Sequence, residues 1–282
     1  MMILEPCAGL GNRLLALASA YELCRELNRE LIVLWKREAG CNARAADLFD
    51  FQGVQVVEFS ENGYKKEFFE TIKGNIIKKK YRRKGKVCFP CDKIDDYKQR
   101  GRLAELRAEI AKEPVIYIKS YTNMCELAPE SFSFIRPSAA VAEKGEAVFA
   151  RINARTVGVH IRRTDHVDAI KNSPLELFYE RMKKEIAEND ADFYVTTDDR
   201  SVERELKAHF PAERLIFYEG KVIDRDSKAG IEDALIDMLC LSKCAKILGS
   251  YKSTFSLIPS IMGGISLEAM TLAESSESRQ QV

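Results

Sequence analysis

The chain has 282 residues, a formal net charge of +1, 46% hydrophobic residues and 31% charged residues. This composition is typical of a globular protein and gives no global electrostatic reason to bind nucleic acid. No stretch reaches the ~20 apolar residues that a membrane-spanning helix needs, and the N-terminus lacks the basic region and apolar core of a signal peptide. We therefore expect a cytoplasmic protein with its eight cysteines reduced, and peripheral contact with the inner face of a membrane stays open.

The chain opens with a strand, a glycine turn and a long helix. Residues 2–6 are apolar except for Glu5, and residues 9–13 read Gly-Leu-Gly-Asn-Arg. Apolar residues then recur at helical spacing before a second strand at 31–35. Glycines in such a turn let backbone amides approach an anion, although a plain tight turn is the alternative. A third glycine and an acidic residue after the second strand are both missing, which argues against dinucleotide binding and an NAD-linked oxidoreductase.

Residues 65–86 form a strongly basic segment that holds ten Lys or Arg and two Glu. A solvated helix or loop is the default interpretation of such a run. An anionic membrane surface or an acidic acceptor is the next interpretation, because basic clusters bind such surfaces. Nucleic acid is the third: Phe68, Phe69 and Tyr81 interleave with the basic residues, but no known nucleic-acid module surrounds them.

Cys88 and Cys91 form a single C-x-x-C motif. A zinc site would need two further ligands, and the sequence contains no second C-x-x-C and no H-x₃₋₅-H. A redox pair would require a helix N-terminus that follows a strand. Metal and redox chemistry are therefore minor alternatives at this motif.

The rest of the pattern alternates strands with helices. Further strands are predicted at 54–59, 114–118, 156–161, 193–197, 215–217 and 245–248. Further helices are predicted at 98–112, 138–152, 174–188, 200–209, 231–243 and 257–263. The alternation occurs twice and predicts an α/β protein with two Rossmann-type parallel-sheet domains that face a cleft. We place these domains at 1–140 and 141–273, followed by a polar tail at 274–282.

The predicted strand at 156–161 ends in unusual chemistry, because Arg162, Arg163 and Asp165 follow it. In an open α/β sheet, ligands bind beyond the carboxyl ends of the strands. Guanidinium groups match phosphate oxygens two bonds at a time. His160 faces the same side of the strand as Arg162, which favours a role in a site over a satisfied core histidine. The stretch therefore predicts a diphosphate-binding site.

Other turns are expected at matching positions, namely 9–13, 196–199 and 249–256. Asp198 or Asp199 would suit a ribose or a base, and Ser253 and Thr254 would suit phosphate at a helix N-terminus. Helix capping is the alternative for all four side chains.

Residues 157–165, Val-Gly-Val-His-Ile-Arg-Arg-Thr-Asp, resemble the signature of the fucosyltransferase superfamily. This superfamily includes α1,6-fucosyltransferases, rhizobial nodulation fucosyltransferases and protein O-fucosyltransferases. Further similar segments occur in the same order, at 9–13, 194–199, 234–242 and 249–256. The resemblance implies a GT-B-like fold, a GDP-sugar donor that is most often GDP-fucose, inversion at the anomeric carbon, and neither a metal nor another cofactor.

Donor-binding residues are expected from both halves of the chain. The expected set is Gly11, Asn12, Arg13, His160, Arg162, Arg163, Asp199, Asp237, Ser253 and Thr254. By the resemblance, His160 and Arg162 would contact the diphosphate and Asp237 the guanine or its ribose. Fixed cations that bind the growing negative charge of a leaving diphosphate lower the barrier, so Arg162 is also expected to be catalytic, supported by Arg163.

The sequence departs from the α1,6 enzymes just after the motif. Those enzymes have a lysine after the motif aspartate and a carboxylate a few residues later, where this chain has His166 and Ile170. The catalytic base is therefore not implied by the resemblance; Asp168 is the first candidate and His166 the second. Asp165 is expected to support the arginines from a second layer. A glycan, a lipid-linked sugar and a protein hydroxyl all remain open as acceptors.

Two other functions were weighed. A metal-dependent GT-A glycosyltransferase would use an Asp-x-Asp motif, and residues 190–192 and 224–226 match it. Neither match lies at the end of a strand, where a metal site would need it. A nucleotide-binding regulator or adaptor without catalysis would dock through the basic segment, but the intact Arg162, Asp165 and Ser253 favour an enzyme.

Overall fold

The computed structural model describes residues 1–60, 68–85, 87–164 and 167–272, so the predicted tail at 274–282 lies outside the described residues. The chain divides into two compact units. The first comprises Met1–Glu143 and Val222–Leu235, and the second comprises Lys144–Lys221 and Ile236–Val282. In the described ranges no helix has both the length and the apolar character needed to cross a membrane.

The first unit is built on a five-stranded sheet. Up to residue 149 the strands are β1 (Met2–Pro6), β2 (Leu31–Arg37), β3 (Phe49–Phe51), β4 (Gln55–Ser60), β5 (Val87–Phe89), β6 (Ile116–Ser120) and β7 (Ile135–Pro137). The helices are α1 (Leu10–Glu26), α2 (Ala45–Leu48), α3 (Phe68–Lys84), α4 (Cys91–Gln99), α5 (Leu103–Lys112) and α6 (Ala139–Phe149). The sheet has the order β4-β2-β1-β6-β5 and all its pairs are parallel, whereas β3 and β7 form a separate antiparallel pair.

The second unit contains another parallel five-stranded sheet. Its strands are β8 (Thr156–Ile161), β9 (Asp192–Thr197), β10 (Leu215–Phe217), β11 (Lys246–Ser250) and β12 (Leu267–Met270). The helices after residue 149 are α7 (Val167–Asn172), α8 (Leu175–Asn189), α9 (Arg200–His209), α10 (Lys228–Ser242) and α11 (Thr254–Gly263). The order β10-β9-β8-β11-β12 is that of a Rossmann half, with every pair parallel. The predicted fold class of two parallel Rossmann-type sheets is thereby confirmed.

The apolar runs of the sequence explain where these strands lie. All six residues of β8 are buried, as expected for a strand covered on both faces of a parallel sheet. Its Val157, Val159 and Ile161 join a core cluster with residues of β9 and α8 such as Val195 and Phe178. The central strand β8 therefore lies within the apolar core of the second unit.

The structure differs from the sequence prediction at a few local elements. The helix predicted at 98–112 is two helices, because α4 ends at Gln99 and Gly101 adopts a positive φ of 66° before α5 begins. The strands β5 and β12, of three and four residues, were not predicted. The strand β7, which pairs with β3, lies in a stretch where no strand or helix was predicted.

Candidate functional site

The order of the second sheet reverses between β8 and β11, and this is where ligands bind in open α/β sheets. Ser250, at the end of β11, ties the two strands together. Its Oγ accepts a hydrogen bond from the Arg162 backbone N–H at 3.0 Å and donates to the His160 carbonyl at 3.3 Å. The carboxyl end of β8 is therefore held beside the start of α11.

His160 is a buried, neutral side chain at this point. Its ring is 4% exposed, stacks on Phe255 with 4.8 Å between ring centroids, and places Nδ1 3.2 Å from Ser256 Oγ. Burial, together with the nearby positive charge of Arg162, lowers the pKa of His160 to about 3. At neutral pH this imidazole carries no charge, so it can approach a phosphate only as a neutral hydrogen-bond donor.

The tautomer of His160 depends on Ser256. The Ser256 hydroxyl lies 3.3 Å from the Ser253 carbonyl as well as 3.2 Å from His160 Nδ1, and it has a single proton to donate. Donation to Ser253 leaves the proton of the imidazole on Nδ1 and makes Nε2 an acceptor. A phosphate oxygen needs a donor, so contact with Nε2 requires the Ser256 proton to point at Nδ1 instead.

Asp198 holds the loop that follows β8. The pairing register sets Ile161 opposite Thr197, so Asp198 comes level with Arg162 as both strands end. The Asp198 carboxylate accepts hydrogen bonds from the Arg163 backbone N–H and the Thr164 hydroxyl, both at 2.7 Å. Its Oδ2 also lies 3.9 Å from Nη1 of Arg162. One carboxylate therefore contacts three consecutive residues of the motif.

The two arginines of the motif have different surroundings. Arg162 is half-buried, with a side chain that is 14% exposed, and Asp198 is its nearby anion. Arg163 donates to the carbonyls of Ile170 at 3.3 Å and Ser173 at 2.7 Å. Ile170 lies within α7, and Ser173 directly follows its last residue. Burial lowers the pKa of the Arg163 guanidinium from its ordinary value. Arg163 thus joins the β8 loop to α7, and donor contacts of Arg162 and Arg163 stay predictions.

Asp199 and Asp198 are neighbours with separate roles. Asp199 is the N-cap of α9, and its Oδ1 accepts a hydrogen bond from the Ser201 backbone N–H at 2.8 Å. Hydrogen bonding by Ser201, first through its side chain and then through this backbone N–H, lowers the pKa of the Asp199 carboxyl below its usual range. The capping alternative is therefore observed at Asp199, and its contact with a donor stays a prediction.

Asp237 lies in a buried polar cluster with Tyr194, Thr196 and Lys221. Tyr194 Oη donates to Oδ1 of Asp237; Thr196 Oγ1 and Lys221 Nζ reach Oδ2 at 2.6 and 3.0 Å. Lys221 and Asp237 have side chains only 5% and 6% exposed. Burial and the adjacent carboxylate raise the pKa of Tyr194, so its phenol stays protonated as a donor. Both oxygens of Asp237 are engaged within the chain, and its predicted contact with guanine or ribose would replace one of these bonds.

Helix α11 presents its N-terminus beside β8. Ser253 is the N-cap residue and is largely buried, and Thr254 is half-buried in the first turn. The first amides of a helix have no partner within the helix and favour an anion. Gly249 permits this placement, because a Cβ there would lie 2.6 Å from Ser256 Oγ and 2.7 Å from its Cβ. The predicted serine-rich turn therefore supplies a helix N-terminus as expected.

In the first unit the glycine turn is braced by Arg13. Gly9 is the N-cap residue of α1, and Arg13 is fully buried. Its guanidinium donates to the carbonyls of Ala8 at 2.8 Å and Lys36 at 2.6 Å, and to Glu38 at 2.8 Å. It also lies 4.8 Å above the centre of the Trp35 ring. Arg13 thus has a structural role in the turn.

Gly11 and Asn12 are the other predicted ligands in this turn. Gly11 is buried and Asn12 is half-buried, both in the first turn of α1. Donor contacts of Gly11, Asn12 and Arg13 stay predictions.

The candidate catalytic bases are placed only in part. Asp168 is exposed in the first turn of α7, where its carboxylate faces solvent and its backbone carbonyl accepts from Asn172 Nδ2 at 2.8 Å. His166 and Asp165, predicted as the second candidate base and as a supporting residue, lie outside the described residues. Of the three side chains, Asp168 is the one whose position the structure gives.

The Asp-x-Asp matches are used in other ways. Asp190 ends α8 and accepts from Arg214 at 2.7 Å, and Arg155 bridges Asp190 to Asp192. Asp226 accepts from the backbone N–H of Gly40 at 2.8 Å. Within the described ranges, no group of three or more His, Cys, Asp and Glu side chains is arranged to hold a metal.

The C-x-x-C motif does lie where a strand is followed by a helix N-terminus, the arrangement that a redox pair would require. Cys88 is exposed on β5 and Cys91 begins α4. Cys91 Sγ lies 3.5 Å from Sγ of Cys7, a residue outside the motif, and this hydrogen bond lowers the pKa of Cys91. All the cysteines are free thiols.

The set of site residues expected from the sequence contains neither Ser250 nor Lys221, and the sequence did not decide between the roles of Asp198 and Asp199. Ser250 and Ser256 both lie in the serine-rich turn, so the turn was a usable signal for them. The strand ends at 161 and 197 were also a signal, because level strand ends bring the next residues together. Lys221 lies in a polar loop, and nothing in the sequence distinguishes this buried lysine from the exposed ones.

No protein-family model matches the chain, and no curated protein matches it in sequence. Its fold is similar to that of NodZ α-1,6-fucosyltransferase in a crystal soaked with GDP-fucose, with 18% sequence identity, 93% of this chain and 92% of that chain covered, and a TM-score of 0.59. Fucosyltransferase NodZ from Bradyrhizobium gives 18% identity, 93% coverage of both chains and a TM-score of 0.58. POFUT1 in complex with GDP gives 13% identity, coverage of 96% and 98%, and a TM-score of 0.52. The fold implied by the sequence resemblance is therefore confirmed.

Proposed function

We propose that the protein is a glycosyltransferase that transfers fucose from GDP-fucose to a hydroxyl acceptor. The observation that supports this most is the position of residues 162–164 after β8, which we call the arginine loop. Asp198 and Ser250 hold this loop at the point where the order of the second sheet reverses. Solved structures with this fold have been crystallised with GDP or GDP-fucose. The fold and the loop together favour a nucleotide-sugar donor.

The proposed reaction is an inverting displacement without a metal. The acceptor oxygen bonds to the anomeric carbon on the face opposite the nucleotide, and the bond from that carbon to the diphosphate oxygen breaks. GDP leaves with the bonding electrons, and its β-phosphate gains negative charge as the sugar becomes oxocarbenium-like. Arg162 and the N-terminus of α11 with Ser253 and Thr254 would bind that charge, more tightly in the transition state than in the donor.

A base must take the proton of the acceptor hydroxyl. Asp168 is the proposed base because it is a carboxylate on the helix that Arg163 connects to the β8 loop. Its exposure leaves it accessible to an incoming acceptor. His166 is the second candidate, and Asp165 is proposed to support the arginines.

The remaining donor contacts follow from the resemblance. Asp237 would bind the guanine or its ribose, and this contact would replace the hydrogen bond that Asp237 accepts from Tyr194 or from Thr196. Gly11, Asn12 and Arg13 are the remaining residues proposed to contact the donor. A glycan, a lipid-linked sugar and a protein hydroxyl are the proposed acceptor classes, and peripheral contact of the basic segment 65–86 with the inner face of a membrane belongs to the same proposal.

Thermal unfolding with GDP, UDP, ADP and their sugar conjugates tests the donor class. A ligand at 100 times its Kd stabilises the folded state by ~2.7 kcal/mol, which is a readily measured shift. We expect GDP and GDP-fucose to raise the midpoint and the other nucleotides to leave it unchanged. An equal shift with UDP or ADP, or none with GDP, would contradict the proposal.

A further inference from the structure

Helix α3 is fixed to the first sheet along one side. Lys78 Nζ lies 2.9 Å from Oε1 of Glu5, a carboxylate that is 1% exposed in β1. Tyr81 packs against the apolar cluster that contains Ile3 and Tyr117. Positions 78 and 81 are three residues apart, so they lie on the same side of the helix. The helix therefore has a defined inner side, and the opposite side faces solvent.

The solvent side of α3 carries one apolar and several basic side chains. Ile76 is 62% exposed, and Lys79, Lys80 and Arg83 are exposed as well. Their spacing of three, four and seven residues from Ile76 puts all four on one stripe of the helix. We call these four residues the outer stripe.

The charge around the outer stripe has a single sign within this part of the sequence. The exposed basic residues of the last two turns are Lys79, Lys80, Arg82, Arg83 and Lys84. No Asp or Glu occurs between residues 71 and 91. A partner that covers this face must therefore be strongly anionic.

The exposed Ile76 among these charges indicates which class of anionic partner fits this face. A nucleic acid or an acidic peptide pairs with Lys and Arg but offers phosphates and carboxylates to Ile76. The surface of an anionic bilayer attracts the basic side chains at its headgroups and takes an apolar side chain into the headgroup and acyl boundary. We propose that the outer stripe of α3 binds an anionic lipid surface and lays the helix along it. This inference rests on the membrane contact proposed above for the basic segment and names the residues that make it; since the binding requires no nucleotide sugar, it can fail or succeed independently of the proposed transfer reaction.

Co-sedimentation with vesicles tests the lipid assignment on the full chain. We compare pure phosphatidylcholine vesicles with vesicles that contain 30% phosphatidylglycerol. We expect binding only to the anionic vesicles, with affinity that falls as salt rises. Each basic residue near such a surface contributes about a fivefold change in affinity, so Lys79→Ala/Lys80→Ala/Arg83→Ala should bind roughly a hundredfold more weakly.

A matched control removes the same charge elsewhere. Lys112, Lys183 and Lys184 are exposed on α5 and α8, and their triple alanine variant should bind like the wild type. Ile76→Asn keeps every charge and should still weaken binding to the anionic vesicles several-fold. Binding to a soluble polyanion should not change in this variant. Equal loss in the control variant, or unchanged binding in the outer-stripe variant, would overturn the proposal. Competition by a short DNA duplex together with full binding by Ile76→Asn would also overturn it.

Discussion

Removing the Asp198 carboxylate is the sharpest structural test of the arginine loop. Asp198→Ala deletes two hydrogen bonds of 2.7 Å, to the Arg163 backbone N–H and the Thr164 hydroxyl. Hydrogen bonds to a charged group contribute ~1.5–3 kcal/mol each. Water can replace part of the lost hydrogen bonding, so we take the lower end of this range, about 3 kcal/mol for the two hydrogen bonds together. If transfer requires the loop in this position, kcat/KM should fall roughly a hundredfold.

The assay is the release of GDP from GDP-fucose, normalised to the folded fraction from thermal unfolding. Thr164→Val removes only one of the two bonds and should lower kcat/KM about tenfold. Glu188→Ala removes an exposed carboxylate on α8 and serves as the charge-matched control. The reasoning is refuted if folded Asp198→Ala keeps kcat/KM within about threefold of wild type, or if Glu188→Ala falls as far.

Three further predictions follow from buried or catalytic groups. Asp168→Ala should slow transfer in single-turnover experiments while GDP affinity changes little, and unchanged turnover would exclude Asp168 as the base. The pKa of His160 is lowered from 6.5 to about 3. As pH falls between these two values, His160 is protonated in the unfolded chain before the folded one, so the unfolding free energy decreases. Urea unfolding should show a smaller decrease between pH 6.5 and 4 in His160→Gln than in the wild type, and equal decreases would contradict the assignment. Lys221→Met leaves the Asp237 carboxylate buried without its cation and should lower the unfolding free energy by ~3–5 kcal/mol, an effect that Lys221→Met/Asp237→Asn should largely reverse.

The sequence predicted the elements that local patterns determine. The run Thr156–Ile161, in which Val157, Val159 and Ile161 alternate with other residues, is the central strand β8. The glycine and serine turns at 9–13 and 249–256 come before helices, as their composition indicates. Two parallel sheets follow from alternating strands and helices, because parallel strands need a crossover connection.

The roles of individual polar side chains depend on contacts that are remote in sequence. Arg13 contacts the Lys36 carbonyl and Glu38, more than 20 residues away, and its turn alone does not indicate these contacts. Asp198 and Asp199 are adjacent in sequence, and only the register of β8 with β9 decides which one meets the arginine loop. Cys91 contacts Cys7 across 84 residues. Local spacing carries no information on such pairs.

The most direct test of the central claim is GDP release from GDP-fucose by wild type and Arg162→Ala, each with and without EDTA. We expect wild-type turnover that EDTA leaves unchanged and a loss of orders of magnitude in Arg162→Ala, since its guanidinium would bind the leaving diphosphate. Arg162→Lys keeps the charge without the fork and should fall between the two. Turnover by Arg162→Ala close to wild type, or wild-type turnover that EDTA abolishes, would contradict the account.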